Sequence, residues 1–159
     1  MANTNPVLIS GRDYATFHLG DLFFGIPATD VIELSRNLDV TAVPKGPSFV
    51  SGLINLRGQL LPAINMHIRL GISVENVQHA GVSIILETSG GPVALLVDSV
   101  GEILSLLPAE LEPPPNKLTE LAKEVVTGVY IRPEQLLLIL DPLKIVSGAT
   151  RESPVTPSK

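Results

Sequence analysis

The chain has 159 residues, a formal net charge of −5 and no cysteine. That length buries a core in one domain or two small lobes, and the missing thiols exclude a disulfide framework, a thiolate nucleophile and a cysteine-based metal site. The acidic balance argues against a nucleic-acid partner, which calls for a basic stripe. Hydrophobic residues make up 45% but aromatics only 4%, so the core must be built from Val, Leu and Ile. No apolar run approaches a membrane span, and Met1 to Ser10 lack the basic start and apolar stretch of a signal peptide, so a cytoplasmic setting without membrane insertion is expected.

After a loose start, Ala15, Phe17 and Leu19 alternate along one strand, Gly20-Asp21 turns it, and Leu22, Phe24 and Ile26 line the return. Pro27 ends this hairpin. Ala28 to Leu34 reads as a short helix or helical turn, with Val31 and Leu34 on one side. Asn37 to Ser48, with Pro44, Gly46 and Pro47, is a loop. Residues 50–65 then form a central hairpin in which two apolar runs flank Asn55-Leu56-Arg57-Gly58. Gly58 supplies the positive φ of a tight turn, and Arg57 stands at its tip with no acidic residue in the segment to pair with. His67 to Gly71 is a helical turn stopped by the glycine, and 72–80 a linker.

The pattern restarts at Val82. Strands Val82–Glu87 and Pro92–Val97 are joined by Thr88-Ser89-Gly90-Gly91, and Asp98-Ser99 turns into Val100–Leu107. Pro108 to Pro115 is an extended surface loop with four prolines. Asn116 can cap a helix over Lys117–Glu124 whose Leu118 and Leu121 face the body. Val125–Ile131 and Leu136–Leu140 are the last hairpin. Asp141-Pro142 begins a short helix to Val146.

Shifting residues 50–65 by 76 lays them on 126–141: Val50, Gly52, Gln59, Leu60 and Leu61 meet identical residues, and Ser51 meets Thr127. Val31-Ile32-Glu33-Leu34 likewise resembles Val100-Gly101-Glu102-Ile103. These matches imply a duplicated β-rich unit, hence two similar small barrels sharing a core. The copies differ at the hairpin tip, where Asn55-Leu56-Arg57-Gly58 meets Ile131-Arg132-Pro133-Glu134. A feature needed only to fold the unit should appear in both copies; this one does not.

Phe17-His18-Leu19-Gly20-Asp21, Phe24-Gly25-Ile26-Pro27, Val31-Ile32-Glu33-Leu34 and Gly52-Leu53-Ile54-Asn55-Leu56-Arg57-Gly58 together resemble the CheW family of bacterial chemotaxis coupling proteins. Val97-Asp98-Ser99-Val100 and Leu136 to Leu140 extend the likeness, which covers about Tyr14 to Val146. With the duplication, the fold expected is all-β with short helices: two SH3-like five-stranded β-barrel lobes sharing a hydrophobic core. The domain spans residues 13–147, lobe one about 13–80 and lobe two about 81–147, with strand exchange between them allowed. Residues 1–12 are expected to be a flexible N-terminus and 148–159 a disordered tail.

The resemblance implies a non-enzymatic adaptor without a cofactor. Its partners would be the cytoplasmic tips of methyl-accepting chemoreceptors, the regulatory domain of a CheA-type histidine kinase, and other CheW-like proteins in array rings. It would be cytoplasmic and recruited to membrane-associated receptor arrays. Family receptor-binding positions fall on Val31, Glu33, Gly52 and Arg57, with Asn55 in the same motif. The family's kinase contact falls only regionally, on 82–104. Each residue has a plainer reading: Arg57 tying down its own loop, Glu33 as an exposed charge, and Gly52, matched by Gly128, keeping room for packing. Asn65-Met66-His67 departs from the Asp-Leu-Arg of many relatives.

Two other readings stand beside this one. The same adaptor could serve a chemosensory pathway for surface motility or development. A small regulatory enzyme would need a titratable cluster, and the sequence offers none. Ser51, Ser99 and Ser105 lie in no nucleophile elbow, and Gly90-Gly91-Pro92 is no phosphate loop. His18, His67 and His79 are scattered with no carboxylate at ligand spacing, so no metal site is expected. Asp98 reads as a turn cap.

Overall fold

The computed structural model describes residues 11–43, 46–72 and 81–147. The readings for Met1 to Ser10, nearly all of the 72–80 linker and the tail from 148 lie outside the described residues. The first hairpin forms where the alternation places it. β1 (Arg12–Leu19) and β2 (Leu22–Pro27) pair antiparallel around Gly20, whose φ is 60°. Ala15, Phe17, Leu19, Phe24 and Ile26 are buried, while Leu22 at the turn stays exposed.

The segment read as a helical turn is different. Only Ala28–Asp30 makes a single 3₁₀ turn, and β3 (Val31–Arg36) runs extended from Val31. β-branched Val31 and Ile32 favour the strand, and its partner is a strand from the other half of the chain that local spacing does not reveal. β4 (Val40–Thr41) pairs with β5 (Val50–Leu56), which turns into β6 (Gln59–Asn65). Asn65 caps α1 (Met66–Leu70), its side-chain oxygen accepting from the Ile68 N–H at 3.1 Å, and Gly71 in the left-handed region ends it.

β7 (Val82–Thr88), β8 (Gly91–Val97) and β9 (Ser99–Leu106) follow. The proline-rich loop is held to the sheet, because Glu112 exchanges backbone hydrogen bonds of 2.8 and 2.9 Å with Val129. The helix expected over Lys117–Glu124 is α2 (Glu120–Val125), capped by Thr119 and not Asn116. The Thr119 hydroxyl accepts from the Ala122 N–H and donates to the Leu70 carbonyl, so one side chain starts α2 and docks it on α1. Ala122 and Val125 are its buried residues; Leu121 is exposed. β10 (Val126–Ile131) and β11 (Leu136–Leu140) close the chain's strands, and a helix over 142–147 begins where Asp141 accepts from the Leu143 N–H.

Two sheets result, ordered β10-β11-β2-β1-β9 and β3-β7-β8-β6-β5-β4. Each is built from strands of both halves of the chain, and their registers coincide. Phe17↔Phe24 in the first matches Leu86↔Val93 in the second, and Tyr130↔Leu137 matches Ile54↔Leu61. The parallel junctions agree as well, Ile139↔Gly25 against Ala63↔Ala94. The second sheet adds the two-residue β4.

Three apolar clusters follow from this plan. Tyr14, Leu106, Tyr130, Leu137 and Ile139 fill the first lobe, and Ile54, Leu61, Ala63, Ile85 and Ala94 the second. The largest, including Phe17, Phe24, Ile64, Met66, Ile84, Leu95 and Leu138, lies between them. Strands such as β1 are buried on both faces because one face lines a lobe and the other this shared core. The fold is all-β with short helices, in two lobes around a common core.

Candidate functional site

The hairpin tip follows from the turn it must make. Leu56↔Gln59 leaves only Arg57 and Gly58 to reverse the chain, and both take positive φ, 53° and 86°. A two-residue turn of this kind favours Asn or Gly at its first position, so an arginine there is conformationally unfavourable. Two interactions offset the cost. The Asn55 side-chain oxygen accepts from the Gly58 N–H at 2.9 Å, and the Arg57 guanidinium donates to both carboxylate oxygens of Glu33 at 2.6 and 2.9 Å.

The partner comes from outside the 50–65 segment, which itself holds no acidic residue for Arg57. Glu33 lies 24 residues upstream, on β3 at the far edge of the same sheet. A contact between the first strand in the sheet order and the turn after β5 requires the sheet to roll until its ends meet. The Arg57 side chain remains 70% exposed and Glu33 26%, so the charges stand at the surface, and the contact orients them more than it stabilises the fold. The hydrogen bond from Arg57 holds the Glu33 carboxyl below its ordinary range and raises Arg57. For a depressed carboxylate the interaction is complete above the unfolded-state value and is lost as pH falls through the lower folded value. The clamp is therefore intact throughout the neutral range.

The other predicted positions are placed as follows. Val31 is half-buried on β3 and packs on the shared core opposite Leu86, whereas a bulge between the two sets Glu33 opposite Ile85, on the other face of the sheet. Asn55 belongs to the turn. Gly52 does not reach the tip: it sits where β5 bulges, and a Cβ there would lie 2.1 Å from the Thr41 carbonyl oxygen, so the glycine admits β4. Gly128 admits Glu112 in the same way at the bulge in β10, with a Cβ 2.9 Å from the Glu112 carbonyl oxygen.

Within 82–104, β7 and β8 are interior strands of their sheet, whereas β9 forms an edge with Ile103 64% exposed. Ile32 and Leu34 on β3 and Ile131 at the second hairpin tip, 72% exposed, are further apolar surface that sequence reasoning did not single out. Alternation along edge strands is the signal that could have found them.

Titratable contacts elsewhere differ from the sequence reading in one respect. His67, for which no carboxylate was expected, places Nε2 3.0 Å from both oxygens of Asp98. Asp98 fastens a turn as predicted, though of a distant hairpin: its Oδ2 accepts from the Gly20 N–H at 2.7 Å. His18 stacks on Phe23, and His79 lies outside the described residues. Among the described residues no three metal-ligating side chains converge, and no helix is long and apolar enough to cross a membrane.

Comparison with known proteins agrees with this architecture. The chain is 27% identical over 149 residues to the chemotaxis protein CheW of Treponema pallidum, covering 90% of this chain and 88% of that one. It is 30% identical over 138 residues to the chemotaxis protein CheW of Klebsiella aerogenes, covering 87% and 83%. Among solved structures, the scaffolding protein TtCheW from Thermoanaerobacter tengcongensis superposes with a TM-score of 0.73 at 29% identity, over 82% of this chain and 88% of that one. The CheW-like domain model matches residues 13–150, and the chain belongs to that family.

Proposed function

We propose that this protein is a non-enzymatic adaptor that couples the cytoplasmic tips of chemoreceptors to a CheA-type histidine kinase in a chemosensory array. The observation that carries the residue-level reading is the Arg57–Glu33 clamp. An arginine in an unfavourable backbone conformation, locked in a bidentate pair yet mostly exposed, stands in one copy of a duplicated unit and is replaced by Pro133 in the other. Folding alone does not ask for it.

In this reading Val31 supplies apolar contact, Glu33 and Arg57 present oriented charge, Asn55 fixes the turn, and Gly52 shapes the surface by admitting β4. A receptor tip, as a helical hairpin, offers the polar and apolar groups such a surface matches. The kinase's regulatory domain docks on the exposed edge of β9, and other CheW-like proteins can occupy equivalent positions in array rings. The protein acts in the cytoplasm, recruited to receptor-bearing membranes. Individually modest interfaces suffice because an array multiplies them.

The test is co-sedimentation with receptor-bearing membranes and a CheA-type kinase. Arg57→Ala should lose receptor attachment while keeping kinase binding, a native circular dichroism spectrum and an essentially unchanged melting temperature. Receptor attachment of the native protein should not vary across the neutral pH range. A folded Arg57→Ala protein that sediments like the native one would make Arg57 a loop-fixing residue and sink the site assignment. Absence of native binding to either partner would sink the adaptor reading.

A further inference from the structure

The two lobes have the same strand plan but different fillings. In the first, Tyr14 and Tyr130 meet edge to face with ring centroids 5.6 Å apart and occupy the middle of the lobe. The shared register identifies their counterparts in the second. Tyr14 lies three residues before Phe17 as Ser83 lies three before Leu86, and Tyr130↔Leu137 corresponds to Ile54↔Leu61. A hydroxymethyl and an aliphatic side chain thus stand where the first lobe has two phenol rings.

The lost volume is not refilled. Beyond Ile85, Ala94 and Ala63 the interior of the second lobe opens into a cavity of about 660 Å³. Its walls include Leu38, Val40, Leu96 and Ile68, with Ser51, Ser83 and Asp98 as polar points. The matching recess of the first lobe holds 430 Å³, has Tyr14 in its wall and is bordered by Arg12, Asp30, Glu87 and Asp141. Duplication makes this comparison an internal control: the fold itself does not require the larger hollow.

Ser83 is 3% exposed as a residue, and none of the described residues engages its hydroxyl. No buried side-chain polar atom among the described residues lacks a partner, so this hydroxyl is not sealed off but opens onto the cavity. Apolar walls with a few convergent polar groups are the usual make-up of a small-molecule site, and the accessible Ser83 hydroxyl is such a group. The size lies in the range of small-molecule sites, about 300–1,000 Å³. Among the described residues neither Lys nor Arg lines the cavity, and the imidazole at its edge is already engaged by Asp98, so no described group there compensates an anion. The cavity lies at the opposite end of β5 from the Arg57 tip; Ser51 and Arg57 are separated by roughly 20 Å of extended strand.

We infer that the second lobe binds a small neutral amphiphile, its apolar body among Leu38, Val40 and Leu96 and one hydrogen-bonding group on the Ser83 hydroxyl. The site lies away from the Arg57 tip and the exposed edge of β9, though Val40 and Ser51 flank the β4 contact at Gly52 and Ser83, Leu96 and Asp98 fall within 82–104. Through Asp98, which also holds the Gly20 turn of the other lobe, its wall is continuous with the junction between lobes.

The probe is N-phenyl-1-naphthylamine, a neutral naphthyl compound with a single N–H whose fluorescence rises in an apolar site. The intact native protein should bind it saturably at one site. Ser83→Tyr, which installs the ring found at the matching position of the first lobe, should abolish that binding, and Ser83→Ala should weaken it ~5–10-fold through loss of one hydrogen bond. Should Ser83→Tyr fail to fold, Ser51→Trp at the half-buried mouth blocks entry without altering the interior. Leu34→Ser, on an exposed strand edge, should bind like the native protein. Absence of saturable binding overturns the inference. So does equal binding by folded Ser83→Tyr or Ser51→Trp, and so does loss in Leu34→Ser, which would place the probe on the surface.

Discussion

Arg69→Met should unfold about 10 °C below the native protein in a thermal melt. Arg69 is 3% exposed, and its guanidinium is spent almost wholly on the backbone of the last helix. Nε donates to the Ile145 carbonyl at 2.9 Å and Nη2 to the Lys144 carbonyl at 2.8 Å, while the plane lies 5.0 Å over the Phe49 ring. Those carbonyls belong to the last turn of the 142–147 helix, where no backbone N–H of the described residues satisfies them. Methionine keeps the apolar stem and the packing on Phe49 but removes both charged donors, leaving the Lys144 carbonyl with only the Ser147 hydroxyl at 3.1 Å and the Ile145 carbonyl without its guanidinium. At about 1.5–3 kcal/mol for each hydrogen bond from a charged group the loss is about 3 kcal/mol, and a domain of this size shifts by about 2–4 °C per kcal/mol.

Two further variants identify the cause. Arg69→Lys should fall between, since an ammonium reaches one carbonyl but cannot fork to two. Glu124→Gln should change little, because that carboxylate is half exposed and its contact with Arg69 is 3.4 Å long. A melt of Arg69→Met within a degree or two of native would show that water satisfies the helix end and that the arginine is dispensable for stability.

Arg69 also shows where sequence reading stopped short. The central hairpin, its glycine turn and the restart at Val82 were legible because each rests on local alternation or on a comparison of the chain with itself. β3 was misread because its partner β7 lies in the other half, and pairing across the sheet outweighs a two-residue helical spacing. The clamp and the His67–Asp98 contact were invisible for the same reason, their partners lying 24 and 31 residues apart. The Arg69–Ile145 contact spans 76 residues. Yet the offset that laid 50–65 on 126–141, continued one helix further, sets Arg69 against Ile145, which is fully buried. A charged residue at the counterpart of a core position was a signal available in the sequence.

The candidate site divides in the same way. That Arg57 occupies a tight turn in one copy only could be read from the residue pattern. That the turn closes on Glu33 requires a rolled sheet, which no local pattern encodes. Gly52 was matched to Gly128 on spacing, and the structure gives that match its cause: each lies at a bulge and lets another backbone segment pass.

The matched glycines give the second large effect. Gly52→Ala should destabilise the protein by about 3 kcal/mol, the upper end of what overpacking costs, and Gly128→Ala by less. At Gly52 the added carbon meets backbone, 2.1 Å from the Thr41 oxygen and 2.7 Å from its carbon, so β4 itself must move. At Gly128 the nearest atom is the end of the Leu111 side chain at 2.8 Å, with the Glu112 oxygen next at 2.9 Å. Part of that strain is relieved by rotating Leu111, which is partly exposed. The functional consequence should be asymmetric too. β4 pairs with β5, the strand that leads into the Arg57 turn, whereas Gly128 lies in the other sheet. Measured at a temperature where both variants are folded, Gly52→Ala should lose part of its receptor attachment and Gly128→Ala none. Equal melting losses with native attachment in both would make Gly52 a packing residue alone, and the recognition surface would then contract to β3 and the hairpin tip.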